Sequence, residues 1–280
     1  MAASEGALKS ARLVFIGSGT MAGAIMRALL RKGEVDPGRM IASDPRGERR
    51  EELKEALNVR TTDDNGQAVR GADIVVLSVK PQVLSYVLAE LHGQIPSSAL
   101  VLSIVAGAPI AAIREGLSHR AIVRTMPNTP AQIGEGMTVW TATKEVTERQ
   151  RAQARTLLNA MGIQLYVEKE DALNMATAVS GSGPGFVFLL LEALVDGAVR
   201  LGFSRSQARM LVLQTVSGSV EFARQSDLHL AELRNMVTSP GGTTAEGLYA
   251  MEQGRVRAVL AETLWAAYAK SRQLGGSPEE

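Results

Sequence analysis

The sequence predicts an α/β protein in which a doubly wound, mostly parallel sheet comes first and an all-helical domain follows. Short apolar runs alternate with helical patterns as far as Val167, which is typical of a parallel sheet with crossover helices. A run of charged residues at 168–171 ends this pattern, and only helical spacing follows it. A chain of 280 residues suits two domains, which we place at residues 1–168 and 169–280.

Composition narrows the classes of function. Hydrophobic residues make up 45% of the chain and the formal net charge is +1 without a basic stripe, which argues against a nucleic-acid partner. The absence of cysteine and three widely spaced histidines argue against a metal site. The longest apolar run, 186–191, is too short to span a membrane, and residues 1–12 lack the apolar core of a signal peptide. We therefore expect a cytoplasmic enzyme with no membrane partner.

The first strand and helix carry a dinucleotide fingerprint. The apolar run 12–16 precedes Gly17-Ser-Gly-Thr-Met-Ala22, and helical spacing follows. This G-x-G-x-x-A pattern lies between a strand and a helix, as in Rossmann-like folds. Gly17 would permit the turn, Gly19 would let a pyrophosphate approach the backbone, and Ala22 would let the helix pack closely. The loop therefore predicts cofactor contacts from Gly17, Gly19, Thr20, Met21 and Ala22.

The end of the second strand leaves the choice of cofactor open. This strand is predicted at Met40–Ser43 and is followed by Asp44-Pro45-Arg46. An acidic residue at this spacing accepts hydrogen bonds from the adenosine ribose and favours NAD, whereas a nearby arginine favours the 2′-phosphate of NADP. Both residue types are present, so the cofactor is NADP or NAD. Alternatively, Asp44 caps a turn or helix, because a proline follows it.

The rest of the first domain continues the strand and helix alternation. Continuous β-branched runs predict strands buried on both faces. In such sheets ligands bind beyond the carboxyl ends of the strands. Lys80, directly after the third strand, either contacts the cofactor or is an ordinary solvated lysine. We expect strands at 73–79, 99–105, 121–125, 136–143 and 164–167, with helices at 48–57, 82–91, 110–116 and 147–161.

The second domain is predicted to consist of helices and to form a homodimer. Apolar residues between 186 and 195 cover most of a helix circumference, and a helix that is apolar all round must be buried all round. A thin helical domain cannot achieve that burial alone, so we expect these helices to interleave with those of a second copy. The expected helices are 171–180, 184–202, 205–225, 230–236, 244–253 and 255–273.

Two stretches of small residues in the second domain predict an anion-binding pocket. In the first, Pro240 and two glycines force a turn, and Thr243 with Glu246 has capping-box spacing, so N–H groups would face a carboxylate or phosphate. The second, 180–185, is expected to be a loop that separates two helices, with Ser182 as a cap. An ordinary capped turn and a plain connector are the alternatives. Together the loops suggest a pocket for a small anionic substrate beside the nicotinamide.

These motifs together resemble the pyrroline-5-carboxylate reductase family over nearly the whole chain. The most specific motif is VTSPGGTTAEGLYAME at 237–252. The others are FIGSGTMAGAI at 15–25, VKP at 79–81, VAG at 105–107, MPNTP at 126–130 and AVSGSGP at 178–184.

The resemblance implies an activity and a set of site residues. The reaction is hydride transfer from the nicotinamide to the C=N bond of Δ1-pyrroline-5-carboxylate, which gives L-proline. Thr244 would face the ring nitrogen. Substrate contacts would come from Ser239, Gly242, Thr243, Thr244 and Ser182. Further cofactor contacts would come from Ser43, Asn65, Val79, Lys80, Pro81, Ala106, Gly107, Asn128 and Asn235.

The resemblance also implies a cofactor and an assembly. Family members usually take NADPH, but Asp44 stands where many of them carry a small or neutral residue, so NADH stays open. The homodimer would build larger assemblies up to a decamer.

Two other functions are compatible with the same layout. A β-hydroxyacid dehydrogenase would need a catalytic lysine in the first long helix after the sheet, and residues 171–190 contain none. A non-catalytic NAD(P)-binding sensor would need no further residues. A substrate-dependent rate of cofactor oxidation separates the enzyme from the sensor.

Overall fold

The computed structural model describes residues 6–275 and divides into two compact units. The sheet unit is the chain through Ser182 together with the segment from Ala267 onward, and the helical unit is Gly183–Ala266. This division follows contacts within the chain. The domain boundary that the sequence places after residue 168 stays a prediction.

The sheet unit is built on one eight-stranded sheet of order β3-β2-β1-β4-β5-β6-β7-β8. Every neighbouring pair is parallel except β6 and β7, so the mostly parallel, doubly wound sheet is confirmed. The strands are β1 Leu13–Ile16, β2 Met40–Ser43, β3 Arg60–Thr62, β4 Ile74–Leu77, β5 Leu100–Ser103, β6 Ile122–Met126, β7 Gly136–Ala142 and β8 Gly162–Tyr166.

Helices follow most strands and close the two faces of the sheet. They are α1 Thr20–Arg31, α2 Gly47–Leu57, α3 Asn65–Val69, α4 Pro81–Glu90, α5 Ile110–Leu117 and α6 Glu148–Asn159, with 3₁₀ turns at Pro37–Arg39 and Thr129–Ile133. Every residue of β1, β2, β4 and β5 is buried, as expected for strands covered on both sides. Alternate residues of each strand feed separate cores, so Phe15 packs on one face and Val14 on the other.

The two tryptophans of the chain have opposite environments. Trp140, on β7, is completely buried, donates from Nε1 to Gln164 Oε1, and meets the Tyr166 ring edge-on with centroids 4.8 Å apart. Trp265, in the helical unit, is 71% exposed. One indole is therefore fixed inside the sheet unit and the other lies on the surface of the helical unit.

The remaining helices follow the sheet. They are α7 Ala172–Ala176, a π-helical turn at Thr177–Gly181, α8 Gly183–Arg200, α9 Arg205–Arg224, α10 Leu230–Met236, α11 Thr243–Gln253 and α12 Val256–Leu274. The last turns of α12 belong to the sheet unit, where Ser271 Oγ donates to Asn174 Oδ1 at 3.1 Å and Tyr268 Oη donates to Asp171 Oδ2 at 3.1 Å.

The loop expected at 180–185 is wrong. The segment continues α7 through the π turn into α8, and Ser182 is helical with its N–H bonded to the Thr177 carbonyl at 2.7 Å. The hydroxyls of Thr177 and Ser180 bond back to carbonyls of the preceding turn, at 2.7 and 2.9 Å. These bonds satisfy carbonyls near the π turn, so the glycines do not break the helix.

The capping box expected from Thr243 and Glu246 is also wrong. Helix α11 begins at Thr243 itself, so its N-cap is Gly242, which has no side chain to accept a hydrogen bond. The tight turn that brings the Gly242 N–H to the Ser239 carbonyl, at 3.0 Å, fixes this start.

The stretch Ala172–Arg200 forms one helix that is long and apolar enough to cross a membrane, judged by length and composition alone. The sequence prediction considered only the longest uninterrupted apolar run, 186–191, whereas the helix continues through the glycines before that run and through Glu192 after it. Only 11% of its apolar window is buried within the chain. A single such helix is weak support for a membrane span, because an interface helix has the same composition.

Candidate functional site

The carboxyl ends of β1, β2 and β4 open onto one cleft. These strands are parallel and in register, so the residues that follow them meet at the same edge of the sheet. The cleft has a volume of about 580 Å³. It is lined by Gly17, Ser18, Gly19, Thr20, Asp44, Pro45, Arg46, Arg49, Glu52, Ser78, Val79, Lys80 and Val83.

Within this cleft, the carbonyl groups of the glycine-rich loop are already occupied. The Gly17 carbonyl accepts from Ser78 Oγ at 2.6 Å, and the Ser18 carbonyl accepts from Arg49 Nε at 2.7 Å. The Gly19 carbonyl accepts from Arg49 Nη2 at 3.4 Å and from the Gly23 N–H at 3.0 Å. The loop backbone is therefore fixed by hydrogen bonds to its carbonyl groups.

Within the described chain, the N–H groups of the same loop are bonded at its start and free from Gly19 to Ala22. The Gly17 N–H bonds to the Ser43 carbonyl at 2.9 Å, and the Ser18 N–H bonds to Asp44 Oδ2 at 3.0 Å. Over residues 6–275, the N–H groups of Gly19, Thr20, Met21 and Ala22 have no acceptor. They form the first turn of α1, where the helix dipole adds partial positive charge.

Two glycines give a phosphate access to this turn. Gly17 has φ +83°, and a Cβ there would lie 2.8 Å from Val79 Cγ1. At Gly19 a Cβ would meet nothing within 4 Å, so its backbone faces open space. Free N–H groups, a helix N-terminus and an open glycine suit a pyrophosphate, so the residues present fit a bound dinucleotide.

Asp44, directly after β2, is buried in the wall of the cleft, with only 4% of its side chain exposed. Its carboxylate accepts from the Ser18 N–H and Oγ, both at 3.0 Å. It also accepts from the Arg46 N–H at 3.1 Å and from Arg46 Nε and Nη2, both at 2.9 Å. Burial alone raises the pKa of Asp44, but the hydrogen bonds from Arg46 and Ser18 outweigh it and hold that pKa well below its usual range.

Sequence reasoning missed Arg49. Its side chain, 14% exposed, binds two loop carbonyls and pairs with Glu52 at 2.6 Å. A Cβ on Gly23 would lie 2.5 Å from Arg49 Nη2, so the arginine occupies the space that the side chain of any residue other than glycine would need at position 23. A glycine in the interior of a predicted helix was the available signal, since such a glycine needs a packing reason.

Other predicted cofactor residues lie around the same edge without lining the cleft. The Asn65 side chain accepts from Ser43 Oγ at 2.7 Å and donates to Glu90 Oε2 at 2.8 Å. Asn128, after β6, accepts from the Met137 N–H at 2.9 Å. Pro81 begins α4. The structure gives these side chains local partners, and their contacts with a cofactor stay predictions.

The loop after β5 holds the predicted residues Ala106 and Gly107. Gly107 has φ +70°, and a Cβ there would lie 3.3 Å from the Leu274 carbonyl oxygen at the end of α12. The loop therefore depends on glycine both for its backbone conformation and for this close approach.

The predicted substrate loop lies in the helical unit. Gly241 has φ +67°, and the Ser239 hydroxyl lies over Gly242. The first intrahelical bond of α11 runs from the Glu246 N–H to the Gly242 carbonyl, so in the described chain the N–H groups of Thr243, Thr244 and Ala245 have no acceptor. The loop presents backbone donors and hydroxyls and no titratable side chain.

The predicted residues Ser182 and Asn235 both lie in helical segments. Ser182 follows the π turn and is partly exposed, and Asn235 lies on α10 with its Oδ1 accepting from Arg234 Nη2 at 3.3 Å. Within residues 6–275, no group of three histidines, cysteines or carboxylates is placed to hold a metal ion.

Comparisons with known proteins point to one family. Residues 170–274 match the family model described as pyrroline-5-carboxylate reductase dimerisation, and residues 12–107 match the model described as NADP oxidoreductase coenzyme F420-dependent. A pyrroline-5-carboxylate reductase of Synechocystis sp. is 41% identical, with 95% of this chain and 99% of that protein covered.

Solved structures agree with this match. A pyrroline-5-carboxylate reductase from Coxiella burnetii superposes with a TM-score of 0.88 at 35% identity, over 97% of this chain and 100% of the other. The Plasmodium falciparum pyrroline carboxylate reductase with NADP bound gives 0.87 at 32% identity, over 95% and 99%.

Proposed function

This chain belongs to the pyrroline-5-carboxylate reductase family, and from that premise we propose which of its residues perform the reaction. The protein is an NAD(P)H-dependent oxidoreductase that reduces Δ1-pyrroline-5-carboxylate to L-proline. When bound, the cofactor supplies the hydride that the C=N carbon accepts. The cytoplasm remains its predicted location.

The glycine-rich loop is proposed to bind the pyrophosphate of the cofactor. The observation that carries this assignment is the split of the loop into satisfied carbonyls and free N–H groups at Gly19–Ala22. Arg49 and Ser78 hold the loop by its carbonyls, so the donors are arranged before the ligand arrives. Such preorganisation lowers the entropic cost of binding. Asn65, Lys80, Ala106, Asn128 and Asn235 are proposed as further cofactor contacts.

The loop before α11 is proposed to bind the substrate carboxylate. Its free N–H groups at Thr243–Ala245 lie at the positive end of a helix dipole, which favours an anion. The hydroxyls of Ser239 and Thr243 add further donors, and Gly242 leaves room for close approach. Ser182 is proposed as an additional substrate contact because it directly follows the π turn and is partly exposed.

Thr244 is proposed to orient the imine nitrogen. Residues 239–244 contain no carboxylate, imidazole or ammonium group that could deliver a proton. A cyclic imine can take its proton from water and react as the iminium, so the protein needs only to position it. The Thr244 hydroxyl is the group we assign to that positioning, and correct orientation alone can supply several kcal/mol of barrier lowering.

The oligomer is proposed to be a homodimer through the helical unit. The enzyme is oligomeric, as the match of residues 170–274 to a dimerisation model indicates. Helix α8 exposes Val187, Phe188, Leu189, Leu190 and Leu194, each by 44–65%. An apolar surface of this kind in a soluble enzyme needs a covering partner. Dimers are proposed to assemble further, up to a decamer.

The direct test is cofactor oxidation followed at the nicotinamide absorbance, with pyrroline-5-carboxylate and either NADPH or NADH. Substrate-dependent oxidation with L-proline as the product supports the assignment. Protein that binds the cofactor but turns over with neither would contradict it and would favour a non-catalytic sensor.

A further inference from the structure

The Asp44 carboxylate has no acceptor capacity left. Its two oxygens take five hydrogen bonds, two from Ser18 and three from Arg46. An ionised carboxylate offers about four lone-pair sites. A ribose hydroxyl can therefore bind Asp44 only if one of the present donors leaves.

The five donors differ in how easily they can be replaced. The bonds from Ser18 and from the Arg46 N–H belong to the buried loop and to the backbone after β2. The two guanidinium bonds come from a side chain that is 63% exposed. The Arg46 guanidinium is thus the replaceable partner, and Ser18 is the fixed one.

Neighbouring arginines cannot take the same part. Arg49, 14% exposed, holds the loop carbonyls and pairs with Glu52. Arg50, 23% exposed, bonds to the Asp44 carbonyl at 2.8 Å and pairs with Asp63 at 3.1 Å. Among these three arginines, Arg46 is the one whose guanidinium lies mainly in solvent.

The net charge of Asp44 and its partners determines whether a 2′-phosphate is attracted or repelled at this position. A bare buried carboxylate repels a phosphate, which is why an acidic residue after the second strand usually selects against NADP. Arg46 neutralises Asp44 with two of its five N–H donors and keeps three for another anion. Arginine is well suited to bind two anions in this way, because its planar donor fork stays charged.

We propose that Arg46 is the residue that lets this chain bind the 2′-phosphate of NADPH at an acidic ribose position. With NADPH, its guanidinium stays on Asp44 and donates its remaining N–H groups to the phosphate. With NADH, ribose hydroxyls replace the guanidinium on Asp44, so both cofactors bind. The proposal rests on the cofactor assignment above and adds the residue that sets the preference.

The test measures binding without substrate, so it does not depend on turnover. Isothermal titration calorimetry would give the dissociation constants of NADPH, NADH and 2′,5′-ADP for the wild type and Arg46→Gln. We expect Arg46→Gln to weaken NADPH and 2′,5′-ADP about tenfold or more, because charge-assisted hydrogen bonds are lost and repulsion by Asp44 appears. NADH should change less than about threefold.

Two further variants separate this role from general effects. Lys54→Gln removes the same charge from the exposed face of α2 and should leave both cofactors unchanged. Adding Asp44→Asn to Arg46→Gln should recover part of the NADPH affinity, because the repelling charge is gone. Equal losses for NADPH and NADH, the same loss with Lys54→Gln, or no recovery in the double variant would overturn the proposal.

Discussion

Thr244 is the single side chain to which the chemical step is assigned. Thr244→Val keeps the shape of the residue and removes its hydroxyl. We expect the turnover number to fall about a hundredfold, which is typical when one positioned donor at a reacting centre is lost. The dissociation constant of NADPH should stay unchanged, because the pyrophosphate donors are proposed to come from the glycine-rich loop instead. Steady-state kinetics and calorimetry measure the two effects.

Thr244→Ser provides the matched control. It retains a hydroxyl, so it should keep most of the turnover that Thr244→Val loses. Full activity in Thr244→Val would remove this hydroxyl from the mechanism, and a similar loss in both variants would point to packing of α11 instead.

One buried histidine, His119, should make the free energy of unfolding depend on pH. It is 4% exposed, and its Nε2 donates to the Ala99 carbonyl at 2.9 Å. Burial lowers its pKa below the ordinary value, although the hydrogen bond opposes the shift. The unfolded chain therefore binds a proton more readily as the pH falls below about 6.5, so the stability linked to neutral His119 is lost toward acid pH.

The prediction for His119→Gln follows from that sign. The free energy of unfolding in urea should fall between pH 7.5 and pH 5.5 in the wild type, and the fall should be smaller in the variant. His92→Gln, at an exposed histidine, is the control and should retain the wild-type slope. An identical pH dependence in the wild type and His119→Gln would contradict this account.

The strand–turn–helix element at residues 13–31 works as one unit. Its turn fits only glycine at position 17, where φ is positive and a Cβ would press on Val79 and the Ser78 carbonyl. We expect Gly17→Ala to weaken the binding of NADPH and NADH by the same factor, about tenfold or more, because the shared pyrophosphate donors move. Calorimetry with both cofactors tests this.

Gly33→Ala is the control for that substitution. Gly33 also has positive φ, but a Cβ there would meet nothing, so the variant bears the backbone strain without the clash near the cleft. A loss confined to one cofactor in Gly17→Ala, or an equal loss in Gly33→Ala, would contradict the role of the turn.

Most elements could be predicted from the sequence because their burial shows in it. Strands such as β4 are continuous apolar runs, and the long helices have clear spacing and caps. The missed elements, β3 and α3, have only three and five residues, and they carry no periodic signal. The strand β3 forms by pairing with β2, which is a tertiary contact.

The cofactor cleft could be placed from sequence but not described in detail. The local pattern that contains Gly17 and Gly19 predicts the loop. Within this loop, Ser18 donates a hydrogen bond to Asp44, which lies 26 positions away in the sequence. The Ser18 carbonyl accepts a hydrogen bond from Arg49. Such partners are brought together by the packing of α2 against α1 and by the pairing of β2 with β1, so no local pattern encodes them.

At the scale of the whole molecule, the proposed dimer should depend on the exposed face of α8. Phe188→Glu places a charge on a side chain that is 62% exposed in the single chain. If partner burial stabilises the dimer by about 1.5–3 kcal/mol per large apolar residue, the charge should shift the protein toward monomer at micromolar concentration. Light scattering coupled to size-exclusion chromatography measures the mass.

Tyr86→Glu is the matched control for the dimer. Tyr86 is 76% exposed on α4 of the sheet unit, so the substitution adds the same charge to an apolar surface outside the proposed interface. Its mass should equal that of the wild type. A dimer that survives Phe188→Glu, or one that dissociates equally in Tyr86→Glu, would place the interface elsewhere.

The two tryptophans give the protein a built-in pair of fluorescent reporters. Trp140 lies in a rigid apolar interior and should emit at the blue edge, whereas Trp265 lies in water on the single chain and should emit toward the red. Each unit carries one of them. The emission spectrum therefore reports the unfolding of the sheet unit through a red shift of Trp140, and any covering of Trp265 in the helical unit through a separate blue shift, without any added dye.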